Sequence, residues 1–309
     1  MYELIIVGGG PAGVAAGVYA ARKKIKTLII TDSFGGQSFV SAGIENWIGT
    51  KSVSGFDFAK MLEEHLRAQE DIDIIGDDAV ASIEKTDAGF RIKTKSGNPP
   101  PGGLETKYIL MATGSRRKKL NVPGEKELDG KGISYCSICD APLFKGKEVA
   151  VVGSGNAGLE AVIDLFPYAT KIYLFERSDK LKGDQVTQDK IVSNQKVEIF
   201  KMAEALAIEG RDFVAGIQYK DLKDGKTKTL PVGGVFVEIG AIPSSDLVKG
   251  LVELTPYGDV VVDHKTQQTS NPGIWAAGDI TDVLYKQNNI SAGDAVKAIL
   301  NIDDKLHKK

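Results

Sequence analysis

The sequence predicts an α/β protein built on two βαβ units, and three observations carry that reading. Residues 2–7 (YELIIV) are a short apolar run that stops at glycine, and Val14 to Arg22 continues with helical spacing. Between them stands Gly8-Gly9-Gly10-Pro11-Ala12-Gly13, in which Gly8, Gly10 and Gly13 fit G-x-G-x-x-G. The arrangement returns 145 residues later: Lys147–Val152 runs into Gly153-Ser154-Gly155-Asn156-Ala157-Gly158, and the helix that follows has Leu159, Val162, Ile163 and Phe166 on one face.

In such a turn the first glycine permits the sharp bend, the second admits a pyrophosphate close to the backbone, and the third lets helix pack on strand. The free N–H groups and dipole of the helix N-terminus then favour the phosphate charge. Gly8, Gly10, Pro11, Ala12 and Gly13 are therefore the candidate cradle for one dinucleotide, and Gly153, Gly155, Asn156, Ala157 and Gly158 for a second. Each unit also has an acid where a ribose hydroxyl would sit. The strand Thr27–Ile30 ends at Thr31-Asp32, 24 residues past Gly8, and Ile172–Phe175 ends at Glu176, 23 past Gly153. Asp32 reads equally as a turn residue before Gly35-Gly36. A carboxylate at Glu176 accepts from a 2′-OH and repels a 2′-phosphate, which points to NADH. Arg177 beside it keeps NADPH open, since it can stack on adenine or reach a phosphate.

The remaining chain alternates between strands, turns and helices. Ser54-x-x-Asp57 reads as a capping box, with Phe58, Met61, Leu62 and Leu66 on one helix face and His65 packed beside them. Ala79 to Ser96 alternates as a hairpin turning at Thr86-Asp87-Ala88-Gly89, and Asn98 to Gly103 is a loop. Tyr108–Met111 is a strand entering Ala112-Thr113-Gly114, and the basic run Arg116 to Lys119 is a solvated linker. Lys223 to Lys226 marks a further hairpin. Val235–Ile239 closes at Gly240 and a second linker, Asp259–Val262 and Ile274–Ala277 resume strand character, and Ser291 to Leu300 is a helix.

With 309 residues there is room for two domains, and 39 basic against 41 acidic residues leave a net charge of −2, which suggests no nucleic-acid partner. Leu4 to Ala21 is uncharged but broken by six glycine and proline positions, so it is neither a membrane span nor a leader. Only two cysteines occur, in Tyr135-Cys136-Ser137-Ile138-Cys139-Asp140. A Cys-x-x-Cys pair closes a small disulfide ring, and an adjacent acid can carry the proton of thiol chemistry. Half a zinc site and a buried inert pair are the bland readings. Zinc lacks further ligands, because His65, His264 and His307 are scattered, and no metal is expected. A working dithiol suits a reducing cytoplasm.

Gly8 to Gly13, Gly35-Gly36-Gln37, Glu45-Asn46-Trp47, Ala112-Thr113-Gly114, Cys136 to Asp140, Gly153 to Gly158 and Trp275 to Asp279 together resemble the low-molecular-weight thioredoxin reductase family of flavoproteins. Within it, Asn121 to Gly124, Pro142 to Lys147, Asp184 to Val186 and Tyr285 to Gln287 are most similar to the catalytic core of the alkyl hydroperoxide reductase flavoproteins. The resemblance implies two Rossmann-like domains of three-layer ββα build, the second inserted into the first: 1–116 with 243–309 for FAD, and 117–242 for the nicotinamide. It implies that FAD also meets Gly36, Gln37, Asn46, Thr113, Gly114, Gly278, Asp279 and Gln287, and Gly240 is counted with Glu176 and Arg177 among the residues that bind the nicotinamide cofactor. Asp279 would meet the ribityl chain, and the helix near Ser291 would aim its N-terminus at the isoalloxazine. Residues 115–120 and 240–246 would be a paired hinge, and the working form a homodimer. Cys139 would react with flavin, Cys136 with the partner, and Asp140 would be the acid/base. NADPH-using members carry H-R-R-x-x-x-R where this chain has Glu176, Arg177, Ser178 and Lys182, in keeping with NADH. Alkyl hydroperoxide reductase flavoproteins carry a fused thioredoxin-like part before the FAD strand. Here Met1 directly precedes that strand, so the expected acceptor is a separate thioredoxin or thioredoxin/glutaredoxin-like protein. A ferredoxin-linked or nicotinamide-independent flavoenzyme is the runner-up, and a flavin-binding redox sensor the third reading.

Overall fold

The computed structural model describes residues 1–41, 43–97 and 104–307, so the loop expected at Asn98 to Gly103 lies outside the described residues. In chain order, β1 (Tyr2–Gly9), α1 (Pro11–Arg22) and β2 (Thr27–Phe34) form the first βαβ unit. α2 (Gly55–Arg67), β3 (Ile72–Ile75), β4 (Val80–Thr86), β5 (Gly89–Thr94) and β6 (Leu104–Met111) follow. β7 (Ser115–Arg117), β8 (Ile133–Ser134) and α3 (Ser137–Asp140) lead to the second unit, β9 (Glu148–Val152), α4 (Asn156–Leu165) and β10 (Lys171–Glu176). Then come α5 (Gln185–Val192), β11 (Val197–Lys201), β12 (Ala203–Gly210), β13 (Val214–Asp221), β14 (Thr227–Pro231), β15 (Val235–Val237), β16 (Ala241–Pro243), β17 (Ile274–Ala276) and α6 (Asn288–His307). The chain divides into two units: Met1–Val40, Asn46–Arg116 and Ile242–Lys309 form the first, and Ser41–Glu45 with Arg117–Ala241 the second.

The first unit is organised by a seven-stranded sheet in the order β3-β2-β1-β6-β5-β4, with β17 beside β6. β1, β2, β3, β6 and β17 run parallel, in register Ile6↔Ile29 and Ile6↔Leu110, while β4 and β5 are antiparallel. Central parallel strands are covered on both faces, which is why Leu4, Ile5, Ile6, Ile109, Leu110 and Met111 are all fully buried without alternation. α2 begins on Ser54, whose Oγ accepts the Asp57 N–H at 3.1 Å and donates to its carboxylate at 2.6 Å. Phe58, Leu62 and Leu66 are buried as expected, but Met61 and His65 face solvent. The face turned inward is completed instead by Ala59, one position on from Phe58.

The second unit has three layers. Its parallel sheet runs β11-β10-β9-β15-β8, and a separate antiparallel sheet runs β12-β13-β14. On one face Val151, Ile172, Leu174 and Phe236 pack with Leu159 and Val162 of α4. On the other, Val152, Phe175 and Val235 meet Ile217 and Tyr219 of the antiparallel sheet, with Phe175 stacked on Phe200 at 4.9 Å. The βαβ patterning thus specifies both faces of one sheet, one for helix and one for the second sheet.

Four boundaries differ from expectation. β2 runs on to Phe34, so Asp32 lies in extended strand rather than in a turn. β15 stops at Val237, ahead of Gly240 at φ +97°. Asp259–Val262 makes only isolated bridges through Val260 and Val262, and α6 starts at Asn288 instead of Ser291. Among the described residues no helix is long and apolar enough to cross a membrane.

Candidate active site

Cys136 immediately precedes α3 and is joined by a disulfide to Cys139, with Cα atoms 5.3 Å apart. The short turn arises from spacing: two intervening residues bring the sulfurs to bonding range, and Asp140 N–H closes the turn on Cys136 O at 3.1 Å. Asp140 Oδ2 accepts the Ser134 hydroxyl at 2.7 Å, while its Oδ1 is buried and has no hydrogen-bond partner. Burial raises the Asp140 pKa, and the Ser134 bond opposes it only in part. A carboxyl whose proton is favoured by burial, one residue from Cys139, is equipped to give and take that proton. Ser137, between the cysteines, is held by Asp164 at 2.8 Å. Tyr135 donates to Glu125 at 2.9 Å, and the same carboxylate accepts Leu120 and Asn121 N–H, which braces the approach to the pair.

Within the first unit a cavity of about 570 Å³ opens over the Gly8 turn, within the size range of ligand pockets. Gly8, Gly10, Pro11, Ala12, Asp32, Gly36, Gln37, Thr113, Gly114 and Asp279 line it. Gly8 has φ +114°, and a Cβ there would run into Ala112 O. Gly13 is packed under the turn, where a Cβ would run into Gly8 O. Gln37 Nε2 donates to Ser115 Oγ at 3.2 Å and Asp279 Oδ2 at 3.4 Å, drawing Asp279 to the cavity. Asn46 and Gln287 pair with each other at 3.3 Å and are not among the lining residues, nor is Gly278, which packs on Ser291. Asn288 and Asn289 lace the start of α6 to the loop before α2 through Ser38 at 2.9 Å and Asn46 O at 2.8 Å. The bare backbone and the size of this cavity fit a pyrophosphate-bearing cofactor such as FAD.

A second cavity, of about 590 Å³, lies wholly in the second unit. Gly153, Gly155, Asn156, Ala157, Glu176, Arg177 and Gly240 line it, and Gly158 again packs beneath, where a Cβ would strike Gly153 O. Glu176 is only 3% exposed. Burial penalises its charge, but Ser154 Oγ at 2.5 Å, Ser178 N–H and Oγ at 2.7 Å each, and Lys182 at 3.2 Å outweigh it and hold the carboxyl down at about 2. Two charged lining residues escape a reading of the sequence, Glu204 and Glu238. Glu204 gives no sequence signal, because an acid near the start of an antiparallel strand reads as an ordinary surface residue. Glu238 does give one: it is the single acid inside the otherwise apolar run Val235–Ile239. Burial pushes Glu238 up to about 7, against the opposing pull of Arg117 and the Ser137 N–H.

The family described as "Pyridine nucleotide-disulphide oxidoreductase" matches residues 2–297. An alkyl hydroperoxide reductase subunit of Staphylococcus aureus (strain Mu50) is 42% identical over 303 residues, covering 98% of this chain and 59% of that protein. The chain therefore spans about three-fifths of the length of that relative. Among solved structures, thioredoxin reductase from Giardia duodenalis is 32% identical with a TM-score of 0.89, covering 99% of this chain and 98% of its own. The thioredoxin reductase from Streptococcus pyogenes MGAS5005 is 31% identical with a TM-score of 0.90, covering 100% and 99%.

Proposed function

Since the chain belongs to the pyridine nucleotide-disulphide oxidoreductases, we propose that it is an FAD-dependent disulfide reductase that draws electrons from NADH and passes them through Cys136–Cys139 to a thioredoxin-like protein. The observation that carries this is the disulfide beside a buried carboxyl, in a unit with its own dinucleotide-type cavity. The backbone of the Gly8 turn would hold the FAD pyrophosphate, with Gln37 and Asp279 as polar partners further along the cavity. Bound there, FAD supplies a two-electron relay between a nicotinamide hydride and a disulfide.

Reduction breaks the Cys136–Cys139 bond and adds two electrons and two protons, giving two thiols. Asp140 delivers one proton to Cys139, and solvent delivers the other. Cys136, as thiolate, then attacks the disulfide of the acceptor and forms a mixed disulfide. Attack by Cys139 on Cys136 Sγ releases the acceptor as a dithiol and restores the starting bond, with Asp140 taking the proton back. In the second unit, Glu176 Oε2 accepts one donor in the structure and retains a lone pair for a ribose 2′-OH. Its fixed negative charge opposes a 2′-phosphate, which supports NADH over NADPH.

Anaerobic titration with NADH and NADPH, followed by flavin absorbance, tests the reading. NADH should bleach the flavin faster than NADPH. Cys136→Ser should bleach normally yet fail to reduce a thioredoxin-like acceptor. A colourless protein that refuses FAD, or bleaching lost with Cys136, would count against it.

A further inference from the structure

The cavity of the second unit carries two cations and three carboxylates; among the described residues Glu238 has no cation in contact, and the other two acids pair with the cations. Lys182 Nζ lies 3.2 Å from Glu176 Oε1, and Arg177 Nε lies 3.3 Å from Glu204 Oε1. All four side chains line the cavity above the Gly153 turn. Glu176 is committed to the loop that it anchors, since Ser154 and Ser178 also donate to it. Glu204 comes from another part of the chain. β11 ends at Lys201, Met202 takes φ +56°, and β12 starts at Ala203. Met202 N–H donates to Ser178 O at 3.1 Å, which ties this corner to the loop after β10 and sets Glu204 beside Arg177.

We propose that Glu204 is a specificity-determining residue, occupying the Arg177 guanidinium and placing a second negative charge in the cavity, so that a dinucleotide with a free 2′-hydroxyl is accepted and one with a 2′-phosphate is refused. The proposal rests on the reading that NADH is the donor. Arg177 is 75% exposed, so its attraction to Glu204 is weak by itself. Discrimination comes from the repulsive side of the balance: a carboxylate facing a phosphate dianion, next to a guanidinium that would otherwise clamp that phosphate through two N–H groups.

Calorimetric titration of the whole protein with 5′-AMP and with 2′,5′-ADP reads this without any flavin turnover. Wild type should bind 5′-AMP at least as tightly as 2′,5′-ADP. Glu204→Gln should tighten 2′,5′-ADP about tenfold, equivalent to 1.4 kcal/mol, and leave 5′-AMP unchanged, which also shows that the pocket is intact. Adding Arg177→Ala should take back the part of the gain that the freed guanidinium supplies and leave the part due to relieved repulsion. An unchanged ratio in Glu204→Gln, or a gain undiminished by the loss of Arg177, overturns the proposal while leaving the NADH reading standing. A wild type that already prefers 2′,5′-ADP overturns both.

Discussion

The two glycine turns are near copies in backbone and differ in the acids around them and in how those acids are held. Gly8 and Gly153 have φ of +114° and +113°, and a Cβ on either would press on the carbonyl oxygen of the next strand's end, Ala112 in one unit and Glu238 in the other. A Cβ on Gly13 would stand 3.7 Å from the Ala112 side chain, and on Gly158 it would stand 3.7 Å from that of Glu238. Ala112 and Glu238 thus occupy the same station, one apolar and one acidic. At the end of the second strand, Asp32 is exposed on the cavity wall, whereas Glu176 is buried under four donated hydrogen bonds and contacts. The lesson is that glycine spacing specifies the backbone of each turn, while the strands that close around it decide whether a neighbouring acid is buried or open.

Four tests press on that comparison. The largest effect belongs to the third glycines. Gly13→Ala and Gly158→Ala each drive a methyl group into a carbonyl oxygen, at a cost of more than about 3 kcal/mol. If the units serve separate nucleotides, flavin content should fall in the first variant, while the second should keep its colour and lose its response to NADH. Equal loss of both properties in both variants would break the assignment of one nucleotide to each turn.

Glu238 comes next. Its folded-state pKa of about 7 exceeds the ordinary 4.5, so the folded state holds the proton longer than the unfolded chain. Stability should therefore fall as pH rises from about 4.5 to about 7, by on the order of 3 kcal/mol at most. Denaturant melts of Glu238→Gln should lack that slope, and an unchanged slope would show that Glu238 is not what separates the two stations.

Smaller effects distinguish the paired acids. Glu176→Gln leaves Ser178 and Lys182 poorly satisfied and should cost about 1–3 kcal/mol, whereas Asp32→Asn should stay within about 0.5 kcal/mol. Because the Glu176 pKa is held at about 2, its contribution is present above pH 4.5 and is lost as pH falls toward 2. Thermal melts at neutral and acid pH measure both. Ser54→Ala removes the cap of α2 and should cost about 1 kcal/mol. It should alter neither nucleotide response.

Much of the site is legible in the residues themselves. A glycine needed for a left-handed bend cannot be replaced by spacing elsewhere, so both turns announce themselves, and a separation of three residues brings Cys136 and Cys139 together by local geometry. Ser54 likewise signals its helix by its own chemistry. Two of the differences from expectation have local causes. Periodicity turns Met61 and His65 inward because it does not say which edge of a helix face meets the core, and Asp32 fits turn or strand because the same residue serves in either.

The amino-acid order alone determined the two βαβ units, their glycine cradles and the dithiol, because each depends on residues within one turn of one another. Only the tertiary structure decided that Glu176 is buried and saturated while Asp32 is open, that Glu204 meets Arg177, and that Asp140 keeps an oxygen without a partner. These depend on which distant strands close around a charge, and a charge takes its meaning from the donors and the water that surround it.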